Sequence, residues 1–455
     1  MSGTLRWTTE TLSGWGRYHP ATARVCHPRD PEQVQAALAA DIQPKLARGM
    51  GRSYGDAAQR TGGGILDMTD MNGFRDFDPE NGILDCEAGV TLSEILAWFV
   101  PRGWTLPVVP GTRHITVGGA IANDVHGKNH HVDGSFCNHV VDFDLLTPAR
   151  GVVRCGPGSE PRLFEATVGG VGLTGIILNA RLRLERIESA WLEVEYEMCP
   201  DLASALVVMD ATDAGYRFSV GWVDAIGKGG QGRTVLTRGN WLPASALPPG
   251  PCADPLRMPR RARLNVPVNM PEWLLNPTSV RLFNALNWRR FGARGRVFLD
   301  MDRYFFPLDS VANWNRMYGR RGFVQYQATV PPASGQGLAD LLRRCNTAGF
   351  ASFLGVLKRF GSAGNGMLSH PMPGYTLTLD FPVREGLDRF LRECDRLLLD
   401  WGGRLYLAKD ALALPDTIAA MYPRLEEFLA VRAEVDPGRT LASDLSDRLG
   451  WDDRK

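Results

Sequence analysis

The chain of 455 residues lacks the patterns that define several classes of protein. Its eight cysteines are scattered, without a CxxC pair or a spacing typical of metal ligands, which argues against a zinc site and a disulfide framework. No apolar run reaches the roughly 18 residues of a transmembrane helix, and none at the N-terminus has signal-peptide length. Lys and Arg number 51 and Asp and Glu 50, so net charge indicates no nucleic acid partner. We expect reduced, mostly buried thiols and a protein that is cytoplasmic or peripherally bound to a membrane.

What is present indicates two domains of mixed secondary structure. A chain of this length exceeds one ordinary core, and 44% hydrophobic with 22% charged residues is a folded composition. From about residue 20 to 190, short apolar strands alternate with glycines around one helix, which begins at the capping box of Thr91 and Glu94. A second domain is predicted to begin near residue 190. Periodicity predicts strands over 191–196, 322–330 and 375–381, and helices over 202–209, 335–345 and 417–431.

The stretch from 227 to 295 is rich in Gly, Pro and Arg and poor in periodicity, which predicts a long, mobile insertion. Nine arginines stand between positions 257 and 296 against a single acid, Glu272, and apolar residues such as Trp273 and Phe283 are interleaved. One interpretation is an ordinary solvated insertion. The other is a surface that meets an anionic, apolar substrate or a membrane.

Two glycine-rich segments carry the residues best suited to a ligand. Residues 47–56 contain GRSYGD, whose backbone N–H groups can form an anion-binding nest while Ser53 adds a hydroxyl donor. Residues 110–131 combine small residues, which let the backbone approach a flat ligand, with a polar cluster at the end. A glycine-rich turn without a ligand is the alternative for the first segment. The histidines His126, His130, His131 and His139 have no carboxylate at metal-ligand spacing, so we expect no metal.

These segments resemble a known family. The matching motifs are GRSYGD at 51–56, PGTRHITVGGAIANDVHGKNHH at 110–131, GSFCNHV at 134–140, TVGGVGLTG at 167–175, GFVQYQ at 322–327, GGRLYLAKD at 402–410 and VDP at 435–437. Together they are similar to flavoproteins of the vanillyl-alcohol oxidase and p-cresol methylhydroxylase type. Within that superfamily the chain most resembles the decaprenylphosphoryl-β-D-ribose 2′-oxidase family, over nearly its whole length.

The resemblance implies an α+β flavoprotein with two domains. An FAD-binding domain from residues 1–188 and 404–455 would enclose a substrate-binding domain, residues 189–403, with an antiparallel sheet. Many relatives attach the flavin to a histidine two residues before the tyrosine of GRSYGD, where this chain has Arg52, so non-covalent FAD is expected. The implied FAD contacts are Arg52, Ser53, Tyr54, Gly55, Gly111, Thr116, Val117, Gly118, Gly119, Asn123, His126, Ile177 and Tyr406.

Hydride removal from a carbinol carbon constrains the mechanism. It requires a base for the hydroxyl proton, a positive group to stabilise the reduced flavin, and contacts that position the carbon. The resemblance implies that Lys409 aligns the substrate or transfers the proton. It places His126 and Lys128 beside the flavin, in orienting or charge-stabilising roles. The alternative for any single lysine is a surface salt bridge. The implied substrate contacts are Lys358, Gln325, Gln327, Trp222, Thr378 and Lys409.

The implied reaction is oxidation of the 2-hydroxyl of a polyprenyl-phosphoryl-β-D-ribose to the 2-keto sugar. A separate keto-sugar reductase would complete an epimerisation to the arabinose form, a precursor for cell wall arabinan. Two departures touch the pocket: Thr378 stands where mycobacterial members have cysteine, and Phe305 where a tyrosine is expected. An aldonolactone or alditol oxidase that uses oxygen is one alternative. A non-catalytic flavin-binding scaffold is another.

Overall fold

The computed structural model describes residues 5–227, 231–249, 254–258, 264–292, 294–350 and 352–452. Cys252 and three of the arginines noted above, Arg260, Arg261 and Arg263, lie outside these ranges. The cysteines inside them are free and buried.

The described residues form an α+β structure. The strands are β1 Thr8–Leu12, β2 Ala21–Cys26, β3 Lys45–Arg48, β4 Gly64–Asp67, β5 Phe74–Asp78, β6 Ile83–Glu87, β7 Trp104–Thr105, β8 Val140–Thr147, β9 Gly151–Cys155, β10 Ile176–Arg183, β11 Glu185–Arg186, β12 Trp191–Cys199, β13 Phe218–Val223, β14 Thr234–Trp241, β15 Leu264–Asn265, β16 Val297–Asp300, β17 Val311–Ala312, β18 Phe323–Val330, β19 Gly355–Phe360, β20 Gly374–Pro382 and β21 Arg404–Leu405. The helices are α1 Pro31–Ala39, α2 Leu92–Phe99, α3 Val117–Ala122, α4 His130–Asp133, α5 Pro161–Thr167, α6 Leu202–Thr212, α7 Pro277–Gly292, α8 Met301–Phe305, α9 Gln336–Thr347, α10 Leu387–Asp400, α11 Pro415–Met421, α12 Leu425–Val435 and α13 Asp444–Arg448.

The N-terminal part contains two larger sheets, with strand orders β1-β2-β4-β3 and β5-β6-β10-β8-β9, and the two-stranded pair β11-β7. Helix α2 begins as predicted, because the Thr91 hydroxyl accepts from the Glu94 N–H and the Glu94 carboxylate accepts from the Thr91 N–H. The C-terminal segment returns to these sheets. The Ala442 N–H donates to the Lys45 carbonyl at 2.9 Å, and α12 packs on α5. Both ends of the chain therefore contribute to one part of the molecule.

The middle of the chain forms an antiparallel eight-stranded sheet with the order β16-β12-β14-β13-β19-β20-β18-β21. Side chains alternate between its two faces. Tyr375, Leu377 and Leu379 of β20 point to the face that α6 and α9 cover, as the hydrogen bond from Tyr375 to Asp210 of α6 indicates. Thr378 and Asp380 point to the opposite face. That face builds one wall of the site described below.

Three sequence-based predictions need correction. The stretch 227–295 is not only a connection, since β14 is an interior strand of the large sheet and α7 is a 16-residue helix. The predicted boundary at 404 falls on β21, which pairs with β18 and so continues the large sheet. The single helix predicted over 417–431 is two helices, α11 and α12. Pro423 separates them because proline cannot continue the hydrogen-bond pattern of a helix.

Within the described ranges, no helix has the length and apolar content to cross a bilayer.

Candidate active site

A cavity of about 570 Å³ lies between the N-terminal sheets and the open face of the large sheet. Its walls come from the glycine-rich loop after β3, the segment around α3, one face of the large sheet, and residues 406–409. Of the residues predicted from the sequence, the cavity is lined by Arg52, Ser53, Tyr54, Gly111, Thr116, Gly118, Gly119, Asn123, His126, Lys128, Ile177, Trp222, Gln325, Gln327, Lys358, Thr378, Tyr406 and Lys409.

Two predicted cofactor residues, Gly55 and Val117, do not line this cavity. A Cβ at Gly55 would stand 1.7 Å from the Asp410 carbonyl oxygen, so this glycine is needed for close backbone packing. Val117 is buried in the core, and its N–H donates to the Val90 carbonyl at 2.8 Å. Their motif positions were predicted to be contacts, but tight packing on neighbouring segments occupies both residues.

The loop after β3 presents free hydrogen-bond donors. The N–H groups of Gly51, Arg52 and Ser53 donate no hydrogen bond within the described chain, and Gly51 has a φ of 61°. Consecutive N–H groups around a left-handed residue form an anion-binding concavity. The loop also lies close to α3, since a Cβ at Gly49 would stand 2.2 Å from the Thr116 hydroxyl oxygen. This arrangement suits a phosphate group on a ligand in the cavity.

The register of the large sheet brings distant residues into one row. Gln327 lies opposite Thr378, Thr378 opposite Val356, and Val356 opposite Trp222. Each of these side chains lines the cavity, as does Lys358, two residues beyond Val356 on the same face. The sheet therefore provides a wall with an aromatic end at Trp222 and a polar end at Gln327.

Three lysines from different elements share the cavity. Lys128 donates to the Tyr304 carbonyl and lies over the Tyr304 ring, while the Lys409 ammonium is 3.5 Å from the centre of the Tyr54 ring. Burial lowers the pKa of Lys128 to about 7, of Lys358 to about 8 and of Lys409 to about 7, and repulsion from Lys358 contributes for the other two. The cavity therefore combines cationic character with amines that can exchange a proton near neutral pH.

His126 is neutral and offers a hydrogen-bond donor. The Gln327 amide nitrogen donates to Nε2 of His126 at 3.0 Å, which places the ring proton on Nδ1. Burial, reinforced by Lys358 and His370, holds the pKa of His126 well below its usual value. Nδ1 is buried without a partner among the described residues, and so is the side-chain oxygen of Asn123. Both residues line the cavity, where a ligand could satisfy these atoms.

The other histidines of the polar cluster have structural hydrogen bonds. His130 accepts from the Gly361 N–H at 3.1 Å, His131 donates to the Tyr216 carbonyl, and His139 donates to the Asp133 carbonyl. Among the residues that the structure describes, no three His, Cys, Asp or Glu side chains are grouped so as to hold a metal ion.

The sequence analysis missed a set of cavity residues on α7. Phe283, Asn287 and Phe291 all line the cavity and recur every four residues, the spacing of one helix face. That spacing could have revealed them, had the segment been interpreted as a helix. Trp15 and Trp314 also line the cavity and contact each other edge to face at 5.8 Å. No sequence signal identifies these two, because they lie about 300 residues apart, Trp15 in a turn and Trp314 at the start of a 3-10 helix.

Two protein-family models and a full-length relative are similar to this chain. A family model described as FAD binding domain matches residues 22–156, and one described as D-arabinono-1,4-lactone oxidase matches residues 376–449. Decaprenylphosphoryl-beta-D-ribose oxidase of Mycolicibacterium smegmatis is 40% identical over 452 residues, which cover 97% of this chain and 98% of that protein. The chain belongs to the decaprenylphosphoryl-β-D-ribose oxidase family.

Two further relatives differ in extent. An uncharacterised protein of Streptomyces coelicolor is 35% identical over 370 residues, covering 79% of this chain and all of that protein. Cytokinin dehydrogenase 5 of Oryza sativa subsp. japonica is 31% identical over 184 residues, covering 35% of this chain and 33% of that protein. Similarity to the cytokinin dehydrogenase is thus limited to about a third of each chain.

The cavity fits the cofactor of this family, FAD. The free N–H groups of residues 51–53 suit a pyrophosphate, and the unpartnered atoms of Asn123 and His126 suit a polar ring system. The chain is an FAD-dependent oxidoreductase of α+β structure. Thr378 and Phe305, the two departures that the sequence analysis expects at the pocket, both line the cavity.

Proposed function

We propose that this chain oxidises the 2-hydroxyl of a polyprenyl-phosphoryl-β-D-ribose to the 2-keto sugar. The alcohol would lose a hydride from C2 and a proton from its hydroxyl, and the flavin would serve as the two-electron acceptor. A separate keto-sugar reductase completes the epimerisation. The observation that carries this proposal is one cavity that joins the anion-binding loop to the lysine-bearing face of the large sheet, in a chain 40% identical to decaprenylphosphoryl-beta-D-ribose oxidase.

In this proposal the N-terminal wall holds the cofactor without a covalent bond. FAD, when bound, accepts the hydride. The loop at 51–53 would hold its pyrophosphate, and Asn123, His126, Ile177 and Tyr406 would contact the ring system. Arg52 stands where a flavin-linked histidine occurs in other flavoproteins, and its guanidinium lies 3.8 Å from the centre of the Trp15 ring. An arginine held in this way supplies positive charge and forms no bond to carbon.

The opposite wall would bind the sugar and move the proton. Lys409, with a pKa near 7, either takes the hydroxyl proton or, when charged, aligns the hydroxyl. Gln325, Gln327, Lys358 and Thr378 lie on the same face of the sheet as hydrogen-bonding groups for the ribose and its phosphate. The Nδ1–H of His126 and the ammonium of Lys128 then stabilise negative charge that develops beside the sugar.

The first test is the visible spectrum of the purified protein before and after anaerobic addition of a polyprenyl-phosphoryl ribose. Loss of the oxidised-flavin band is expected, because no oxygen is present to reoxidise the reduced flavin. A band that persists with this substrate and bleaches with a free polyol or lactone would replace the proposal by the second candidate below. A band that no sugar bleaches would indicate a flavin-binding scaffold.

A second candidate is an aldonolactone or alditol oxidase that uses oxygen. The match of residues 376–449 to a family described as D-arabinono-1,4-lactone oxidase favours it. That segment contains Thr378, Tyr406 and Lys409 but none of the α7 residues at the cavity. A soluble lactone has no lipid tail, so it would not need the apolar side chains of α7.

We also infer peripheral membrane contact through the outer face of α7. Leu282, Phe283 and Leu286 are exposed there, and Arg281, Arg289 and Arg290 are exposed on the same helix. Phe283 lines the cavity as well, so the apolar surface begins where the cavity ends. A lipid-linked sugar could enter from a bilayer without exposing its tail to water, and arginines favour anionic headgroups. The Asn284 amide of α7 donates at 2.6 Å to Asp224, the residue that follows β13, and so fixes the helix beside the large sheet.

Replacing Leu282 and Leu286 together with serine is expected to reduce binding to vesicles that contain anionic phospholipid by about tenfold or more. Burial of a leucine contributes about 1.5–3 kcal/mol, and 1.4 kcal/mol corresponds to tenfold. Vesicle sedimentation measures the bound fraction. The matched control is Val207→Ser on α6, because Val207 is 66% exposed and Leu282 64%, yet Val207 does not line the cavity. Equal sedimentation of the two variants would contradict the proposal.

A further inference from the structure

A cluster of buried side chains lies next to Lys409, and its central carboxylate, Asp380, does not line the cavity. Asp380 of β20 is fully buried and points to the cavity side of the sheet. Its carboxylate accepts from the Gln325 amide at 2.6 Å and from the Tyr318 hydroxyl at 3.1 Å. Its own N–H donates to the Ser352 hydroxyl at 2.8 Å. A carboxylate in such a position is held in one orientation, and its charge requires compensation.

The cluster reaches Lys409 through Tyr54. Gln325, which donates to Asp380, also lies close enough to Tyr54 to lower the pKa of its hydroxyl, and the Lys409 ammonium lies over the Tyr54 ring. Tyr54 and Tyr318 both pack on Phe323, edge to face at 5.5 Å and stacked at 4.1 Å. The side chains of Asp380, Gln325, Tyr318, Tyr54 and Phe323, here called the Asp380 cluster, therefore form one packed unit beneath the lysine. Among the described residues the Lys409 ammonium forms no direct ion pair, and its contact is the Tyr54 ring.

The charges of the two groups are coupled. Burial raises the pKa of Asp380 to about 6, and Lys409 opposes the shift. Burial lowers the pKa of Lys409 to about 7, which Asp380 opposes and Lys358 reinforces. Other ionisable groups that face the cluster are His126 near Lys409, and Arg52 and Asp309 near Tyr54. Asp380 supplies the attractive charge on Lys409, since Lys358 repels it.

We propose that Asp380 is the positioning residue for Lys409: its carboxylate, oriented by Gln325 and Tyr318, holds the lysine over Tyr54 and maintains its proton at neutral pH. This rests on the proposed function only for the reaction that Lys409 serves. Asp380 does not line the cavity, so it acts through another residue. It acts by fixing the position of the Lys409 ammonium and the pH range in which Lys409 is protonated. That range determines the pH at which the enzyme works.

Asp380→Asn tests this assignment because it removes the charge and keeps the shape. Loss of an attractive charge should move the titration of Lys409 about one unit lower. Two measurements follow it in the flavin-loaded protein: the pH profile of kcat/KM, and the ¹³C chemical shift of ¹³C-methylated Lys409 against pH, with Lys409→Arg to assign the resonance. The second needs no substrate. If the titration midpoint of Lys409 moves in Asp380→Asn but the enzyme does not turn over the lipid-linked ribose, the proposed function is wrong and the role of Asp380 still holds.

The matched control is Asp395→Asn. Asp395 is also a buried carboxylate that accepts from a tyrosine, Tyr326 at 3.0 Å, but Lys409 is not among the groups that influence its pKa. We expect no change in the Lys409 midpoint in this variant. Tyr318→Phe serves if Asp380→Asn does not fold. Loss of the tyrosine donor raises the pKa of Asp380, which leaves less negative charge beside Lys409. The pKa of Lys409 should therefore fall, as in Asp380→Asn, but by less. An unchanged Lys409 midpoint in whichever of the two variants folds would overturn the assignment.

Discussion

Replacing Lys409 with methionine is expected to lower kcat by about a hundredfold or more while FAD remains bound. A positioned acid or base contributes about 10²–10⁴-fold to catalysis, and methionine fills a similar volume without an ionisable group. Among the described residues, Lys409 is the lysine that lies over the Tyr54 ring, so another amine of the cavity cannot take its position beside the reacting hydroxyl. Stopped-flow measurement of flavin reduction separates hydride transfer from substrate binding, because at saturating substrate the rate of the absorbance change reports the chemical step alone.

Lys409→Arg distinguishes the two roles that remain open for this lysine. Arginine keeps the charge but does not lose its proton at any working pH. If Lys409 transfers the proton, the arginine variant should be as slow as the methionine variant. Recovery of most of the rate would assign alignment instead. A methionine variant within a few fold of the unaltered enzyme would contradict both roles, and equal flavin content and melting temperature must first show that the fold is intact.

Replacing Gly51 with valine is expected to weaken FAD binding by about a hundredfold. Gly51 has a φ of 61°, which costs a side chain with a Cβ roughly 1–2 kcal/mol. The new Cβ would also stand 2.1 Å from the Arg48 guanidinium, which donates to the Ser13 carbonyl at 2.8 Å and to the Ala58 carbonyl. Without cofactor the loop can relax, so FAD must force it back at a cost of about 3 kcal/mol. Flavin absorbance per protein after dialysis measures the loss.

The matched control is Gly62→Val in the same part of the chain. Gly62 has a φ of 70°, but nothing lies within 4 Å of its Cβ position and it does not line the cavity. The backbone penalty is therefore similar, while the anion-binding loop is untouched. We expect this variant to retain its flavin. Equal flavin loss in both variants would mean that the glycine effect is general destabilisation and that residues 51–53 do not hold the pyrophosphate.

Local patterns predicted the elements whose causes are local. The helix at Thr91 begins where its capping box stands, and β18 and β20 lie where apolar and polar residues alternate. Helix α7 was missed because its apolar residues face two surfaces, the cavity and the exterior, so no single stripe appears in the sequence. The break between α11 and α12 was missed although Pro423 is an adequate signal.

By itself the sequence determined the family, the cofactor and the residue types at the site, since the glycine-rich loop and the segment around Lys409 are contiguous and need no folding to be identified. Only the tertiary structure decided how these residues act together. Strand register brings Trp222 to the same wall as Gln327, and it places Asp380 beside Gln325. Burial, which exists only after folding, moves the pKa of Lys409 to about 7. Distance and desolvation are properties of the folded chain, and together they convert a lysine into a group that can exchange protons near neutral pH.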